Sequence, residues 1–229
     1  WWGDEYETSK ASANATAVGV RAESGDNVIR NLAGGSIKAY ATAATGRSAI
    51  GIQTGAGNDL IENNGTIEAW TRSATTGAWV AGTGIDSGAG NDTIVLGDGS
   101  SVTGDILLGA GNDTLRVIGT GSLSGLAWGG SGTDLLAMEG EGSFSSSMTR
   151  EYENFIKYGA GTLSLDGASA FDSLEVASGS LRIEGGLALR DGSRLAAWVY
   201  GDGTNGVSAR AAASGSQTTI SPGSRLSHE

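Results

Sequence analysis

The sequence predicts an all-β solenoid, in which short strands wind into stacked coils with three strands to a coil. Three observations predict it. A glycine turn recurs, reading GAGND at residues 55–59, 88–92 and 109–113 and GSGTD at 130–134, so that Asp59, Asp92, Asp113 and Asp134 stand 33, 21 and 21 residues apart. Each turn leads into a short β-prone run, and a shift of 21 carries Leu136 onto Leu115, Leu115 onto Ile94 and Leu123 onto Val102. The chain holds Gly 40 and Pro 1 in 229 residues, without a long amphipathic helical period. A fixed period of about 20 to 30 residues built from short strands and glycine turns marks units that bury their apolar face only when the next unit stacks on them.

Residues 1–16 are polar, with Asp4, Glu5, Glu7 and Lys10, and read as an edge before the coils. Residues 17–140 read as the coils with GAGND turns. Val18-Gly19-Val20 matches Ile50-Gly51-Ile52 at an offset of 32, Val28-Ile29 matches Leu60-Ile61 at the same offset, and Gly84-Ile85 follows Gly51-Ile52 at 33. Residues 36–39 match 66–69 at an offset of 30, which places a small indel between the two coils. Residues 105–108, 114–118 and 122–124 are the three strands expected of one coil. Glycine at the corners permits positive φ, and the Asp that follows Asn can accept hydrogen bonds from turn amides. Two coils carry excursions, YATAATGR at residues 40–47 and WTRSATTGAWVAG at 70–82, expected on one face. The tryptophans of the second either offer a contact to a partner or lie back on the wall.

Residues 141–229 change texture. Tyr152, Phe155, Ile156 and Tyr158 bring aromatic mass, and alternation resumes in Leu163-Ser164-Leu165, Leu174-Glu175-Val176, Leu181-Arg182-Ile183 and Leu187-Ala188-Leu189. The spacing between strands falls to about 10 residues, which reads as tighter coils of the same kind.

The net charge of −11 argues against nucleic acid and anionic membrane surfaces as partners, since phosphate binding needs a basic footprint. No run of 18 apolar residues is present, so no membrane helix is expected. Trp1-Trp2 is not how a native reading frame opens, and the chain is expected to be part of a longer one. Without cysteine there is no disulfide and no thiolate chemistry.

Residues 154–167, NFIKYGAGTLSLDG, resemble the autotransporter-associated β-strand repeat, in which an NFE-type strand leads into K-x-GAGT-L-x-L-x-G. Residues 174–183, LEVASGSLRI, are similar to that family's next strand pair, and residues 220–224, ISPGS, to its closing turn. The likeness covers about residues 150 to 226 and departs from the family at Ile156 and Ser224. It implies a right-handed parallel β-helix, the passenger of a type V secretion system, with residues 150 to 226 in the autochaperone part that templates folding during export. It further implies a bacterial cell-surface or outer-membrane location, or secretion after release. The implied partners are the passenger's own outer-membrane β-barrel, absent from this chain, and a host or neighbouring cell surface.

Chemistry has little to rest on. The one histidine, His228, is next to last, so no Ser-His-Asp arrangement can form within the coils, and the usual N and S ligands of zinc are missing. Asp86 and Asp105 are the pair that stacking would bring to one face for glycoside hydrolysis, and a carbohydrate-active β-helix is the remoter alternative. Residues 171–174, FDSL, are superficially like a lipase block but carry Phe where its Gly belongs. Asn64-Gly65-Thr66 and Asn91-Asp92-Thr93 fit the loose N-glycosylation pattern. Residues 129–136, GGSGTDLL, and the GAGND copies are similar to the calcium-binding RTX nonapeptide, which makes a calcium-binding β-roll the other alternative. That family pairs tandem nine-residue repeats, however, whereas these copies lie 21 or 33 apart. The Asp column is therefore expected to be structural and solvated, with no metal, no cofactor and no catalytic residue assigned, and the chain is read as a non-catalytic stalk.

Overall fold

A computed structural model describes residues 6–11, 15–43, 46–166, 169–184, 187–197, 206–208, 217–220 and 225–226. Among them are strands, one 3-10 turn at Ser146–Met148 and no α-helix. The strands form four sheets, and with one exception every pairing is parallel. The all-β, parallel part of the expected fold is what the structure contains.

The first sheet stacks Tyr6–Ala11, Ser36–Ala43, Thr66–Arg72, Ser101–Thr103 and Ser122–Leu123. The second stacks Ala15–Arg21, Arg47–Gln53, Thr83–Asp86, Asp105–Leu107, Ala127–Trp128 and Thr149–Arg150. The third runs through Val28–Asn31, Leu60–Asn63, Thr93–Leu96, Thr114–Ile118, Leu135–Glu139, Asn154–Tyr158, Ser169–Val176, Leu187–Ala197 and Gln217–Ile220. The chain visits these sheets in rotation, and each visit lays a strand beside the previous one. The offsets in the sequence are the registers of the structure: Val18 lies opposite Ile50, Ile52 opposite Ile85, Ile94 opposite Leu115, Leu115 opposite Leu136 and Val102 opposite Leu123.

Period-two alternation buries one side chain in two, as in the strands Leu60–Asn63 and Thr114–Ile118. Register then turns single residues into columns. In the third sheet Ile61, Ile94, Leu115, Leu136, Phe155 and Leu174 follow one another, all at most 1 % exposed. Each full burial of this kind contributes about 1.5–3 kcal/mol. Gly51 is required by the same packing, because a Cβ there would strike the Ile67 side chain and the Gly84 carbonyl.

Two expectations change. Backbone pairing starts ahead of Ala17: Tyr6–Ala11 lies in register with residues 38–43, although its polar sequence shows no apolar period. A hydrogen-bond ladder needs only backbone groups, which is why composition missed it. Among the described residues the rotation through the first three sheets also does not run to the end. The second sheet stops at Thr149–Arg150, and beyond it the described strands fall into the third sheet and a fourth, made of Gly142–Ser145, Thr162–Asp166, Ser180–Glu184, Gly206–Ser208 and Arg225–Leu226. The shorter spacing between strands after residue 160 leaves chain for two strands per repeat rather than three.

Lys157 stands between Met138 and Val176 in a column that runs from Asn31 and Asn63 through Leu96 and Val117, and is fully buried. Its ammonium closes the glycine turn after the strand, donating to the carbonyls of Gly159 at 2.7 Å and Tyr158 at 3.0 Å. Burial holds its pKa below the ordinary lysine value. Lys157→Met keeps the packed stem but strips the Gly159 carbonyl of its ammonium donor, while the Tyr158 carbonyl keeps the Gly140 amide. The expected loss is about 1–3 kcal/mol in a urea melt, and an unchanged midpoint would show that the Gly159 carbonyl is satisfied without it.

Candidate functional site

The four glycine turns stack directly on one another through bridges linking Ala56, Ala89, Ala110 and Ser131. Two side-chain rails then run across the stack. On the outside, the amide of Asn58 donates to Asp26 Oδ1 (2.7 Å), that of Asn91 to Asn58 Oδ1 (2.8 Å), that of Asn112 to Asn91 Oδ1 (2.8 Å) and that of Thr133 to Asn112 Oδ1 (2.9 Å). On the inside, the amide of Asn27 donates to Asp59 Oδ1 (2.8 Å), that of Asp59 to Asp92 Oδ1 (2.8 Å), that of Asp92 to Asp113 Oδ1 (2.7 Å) and that of Asp113 to Asp134 Oδ1 (2.8 Å). The Asp134 amide ends the inner rail on Glu153 Oε2 at 2.8 Å. The outer rail accepts from the repeat that follows and the inner rail from the repeat that precedes, so neighbouring turns are tied in both directions.

The expected column of Asp59, Asp92, Asp113 and Asp134 is therefore present, but it is not solvated. The four residues are 2 %, 1 %, 1 % and 0 % exposed. Hydrogen bonding to the neighbouring amide turns each carboxylate inward, and the Oδ2 of each is buried without a hydrogen-bond partner. Burial raises the pKa of Asp92 and Asp134 above the ordinary value and carries Asp113 to about 6, with nearby carboxylates adding to the rise: Asp59 on Asp92, Asp92 and Asp134 on Asp113, and Glu153 and Glu151 on Asp134. The residue five positions earlier in each repeat is Thr54, Ser87, Leu108 or Gly129. A Cβ at Gly129 would come 2.7 Å from Asp134 Oδ2, and the Ser87 hydroxyl lowers the pKa of Asp92 although it donates to the Leu108 carbonyl at 2.9 Å. Asp113, which has Leu108 there, lacks that help.

Tyr152 closes the column from below. It occupies the repeat position of Thr133, yet it is 2 % exposed, where the Asn rail points outward. Glu151 just before it takes φ 60°, and this left-handed step replaces the glycine turn of the other repeats. The Tyr152 hydroxyl is buried without a partner, and the charges of Asp134 and Asp113 act on it.

Comparison of the chain with protein-family models, with curated proteins and with solved structures finds no match. The assignment of a role therefore rests on the geometry alone. Among the described residues no three His, Cys, Asp or Glu side chains gather as a metal would require. Asp86 and Asp105 share the second sheet but are not opposite: Asp86 faces Leu107 and Asp105 faces Thr83. Each already serves the stack, Asp86 accepting from Gln53 and Asp105 from the Leu126 amide. Residues 171–174 lie within the strand Ser169–Val176, with Phe171 buried. His228 lies outside the described residues, as do Trp198 and residues 221–224.

The excursions at residues 40–47 and 70–82 meet. Trp79–Ala81 folds back on Thr66–Arg72 as the antiparallel pair, and the Trp79 ring stands edge-on to Tyr40 at 5.5 Å. Trp79 and Val80 remain 44 % and 50 % exposed. Trp79 thus rests edge-on against Tyr40 of the first-sheet strand Ser36–Ala43, and still presents an apolar face outward.

Proposed function

We propose that this chain is a non-catalytic β-helical stalk of a secreted or surface-displayed autotransporter passenger, right-handed, with three strands per coil up to Arg150. The observation that carries the reading is the rotation of the chain through three parallel sheets in registers of 33 and 21 residues, tied by the two rails. A frame of this kind is rigid, and its buried carboxylates have no substrate access, which favours a supporting role over catalysis. The exposed Trp79–Val80 hairpin suits adhesion to a host or neighbouring cell. In the last third, Phe155 and Phe171 pack at 5.3 Å within the core. That aromatic mass supports a role as the template from which stacking spreads during export.

The test places the chain between a secretion signal and an outer-membrane β-barrel. Display of a protease-resistant passenger on the cell surface is expected, and removal of residues 141–229 should leave the remainder displayed but protease-sensitive. Equal resistance with and without those residues would remove the templating role, and failure of the intact chain to reach the surface would remove the passenger reading.

A further inference from the structure

We propose that the inward Asp column is a proton-operated clasp: on mild acidification Asp92, Asp113 and Asp134 take up protons from solvent, and the repeats they join are held more firmly as the stacked, buried charges are removed. The geometry is the warrant. Oδ1 of every member is committed to a backbone amide, while every Oδ2 is buried and idle. A buried carboxylate oxygen without a donor is costly, and a column of them more so. Each proton taken up from solvent turns one buried carboxylate into a neutral carboxylic acid, so one negative charge leaves the stack and no bond to the neighbouring amide is broken. The Tyr152 hydroxyl, buried without a partner at the lower end, keeps its own proton under the charges of Asp134 and Asp113.

Among the described residues no cationic group acts on Asp92, Asp113 or Asp134. The charged groups that act on the column are Asp59 on Asp92, Asp92 and Asp134 on Asp113, and Glu153 and Glu151 on Asp134. All are acidic, and they come from the repeats above and below as well as from the residues' own turns. The direction follows from linkage. A carboxyl whose folded pKa lies above its unfolded value binds protons more tightly when folded, so folding gains stability as pH falls and loses it as pH rises through the folded value. For Asp113 the window runs from about 6 down to the ordinary 3.8. That difference is a proton affinity about a hundredfold above an ordinary Asp. Asp98, exposed and held below the usual range by the Thr120 amide and hydroxyl, works the other way, and only at lower pH.

The experiment is a thermal melt of the full chain with a chelator present, from pH 8 to pH 5. Tm is expected to rise by more than about 3 °C. Asp113→Asn keeps an oxygen for the Asp92 amide and supplies N–H groups in place of Oδ2. It should melt above the original chain at pH 8 and show a flatter pH profile. Glu23→Gln on the surface should leave the profile unchanged, separating the column from the general effect of net charge. Carboxyl-carbon NMR titration of the unaltered chain reads the same protonation without any substitution, and one or more Asp midpoints near 6 are expected. Midpoints that all lie near 4, a Tm that is flat or falls toward pH 5, or an Asp113→Asn chain less stable at pH 8 would overturn the proposal. So would a Tm at pH 8 raised by calcium chloride in the original chain and not in Asp113→Asn, which would make the column a cation site.

Discussion

Gly111→Ala is expected to lower stability by roughly 3 kcal/mol or more, or to prevent folding. Two costs coincide there. Gly111 has φ 145°, in the region that L side chains avoid, and its Cβ would run into the carbonyl of Gly90 in the turn stacked above. The clash is with backbone, so relieving it means separating two repeats that the Asn and Asp rails hold together. Gly34→Ala isolates the first cost: φ is 79° there, and a Cβ would meet nothing within 4 Å. That control should lose only about 1–2 kcal/mol. Urea melts of the two variants decide the matter. Equal losses would mean that the turns do not stack as closely as described.

Phe155→Ala should cost about 3–5 kcal/mol, the range for emptying a buried aromatic site. Phe155 is 1 % exposed, lies between Leu136 and Leu174 in its column and packs on Phe171. The cavity would open at the edge of the second sheet, in the repeat that holds its last strand, Thr149–Arg150. Hydrogen exchange would locate the effect, with amides of the strands Asn154–Tyr158 and Ser169–Val176 losing protection before those of Thr93–Leu96. A loss under about 1 kcal/mol would mean that the aromatic cluster is not the packed core of this third.

Much of the frame was legible because its period is written in residues that backbone geometry demands. Gly109 and Gly111 sit at φ 100° and 145°, the Asp after the turn accepts an amide, and Leu115 follows Ile94 at a fixed distance. The inward turn of the carboxylates was not legible. An Asp in a glycine turn is ordinarily solvated, and what reverses this is an amide in another repeat. The clue available was the residue five positions earlier, where Thr54, Ser87, Leu108 and Gly129 are small or apolar. Tyr152 was harder still, because its repeat is 19 residues long when measured from Asp134 to Glu153 and has no glycine turn, Glu151 standing in for it. The strand Tyr6–Ala11 was hidden for a third reason, since backbone pairing leaves no mark on side-chain pattern.

The nine-stranded third sheet joins Val28 to Ile220 through hydrogen bonds that all point along the direction of stacking. Tension applied between the two ends of the chain would load those bonds one strand at a time instead of sharing the force among them. Stretched in this way, the molecule should lengthen by successive releases of a single repeat, each yielding 19 to 33 residues of slack, so that partial extension would leave the remaining repeats intact.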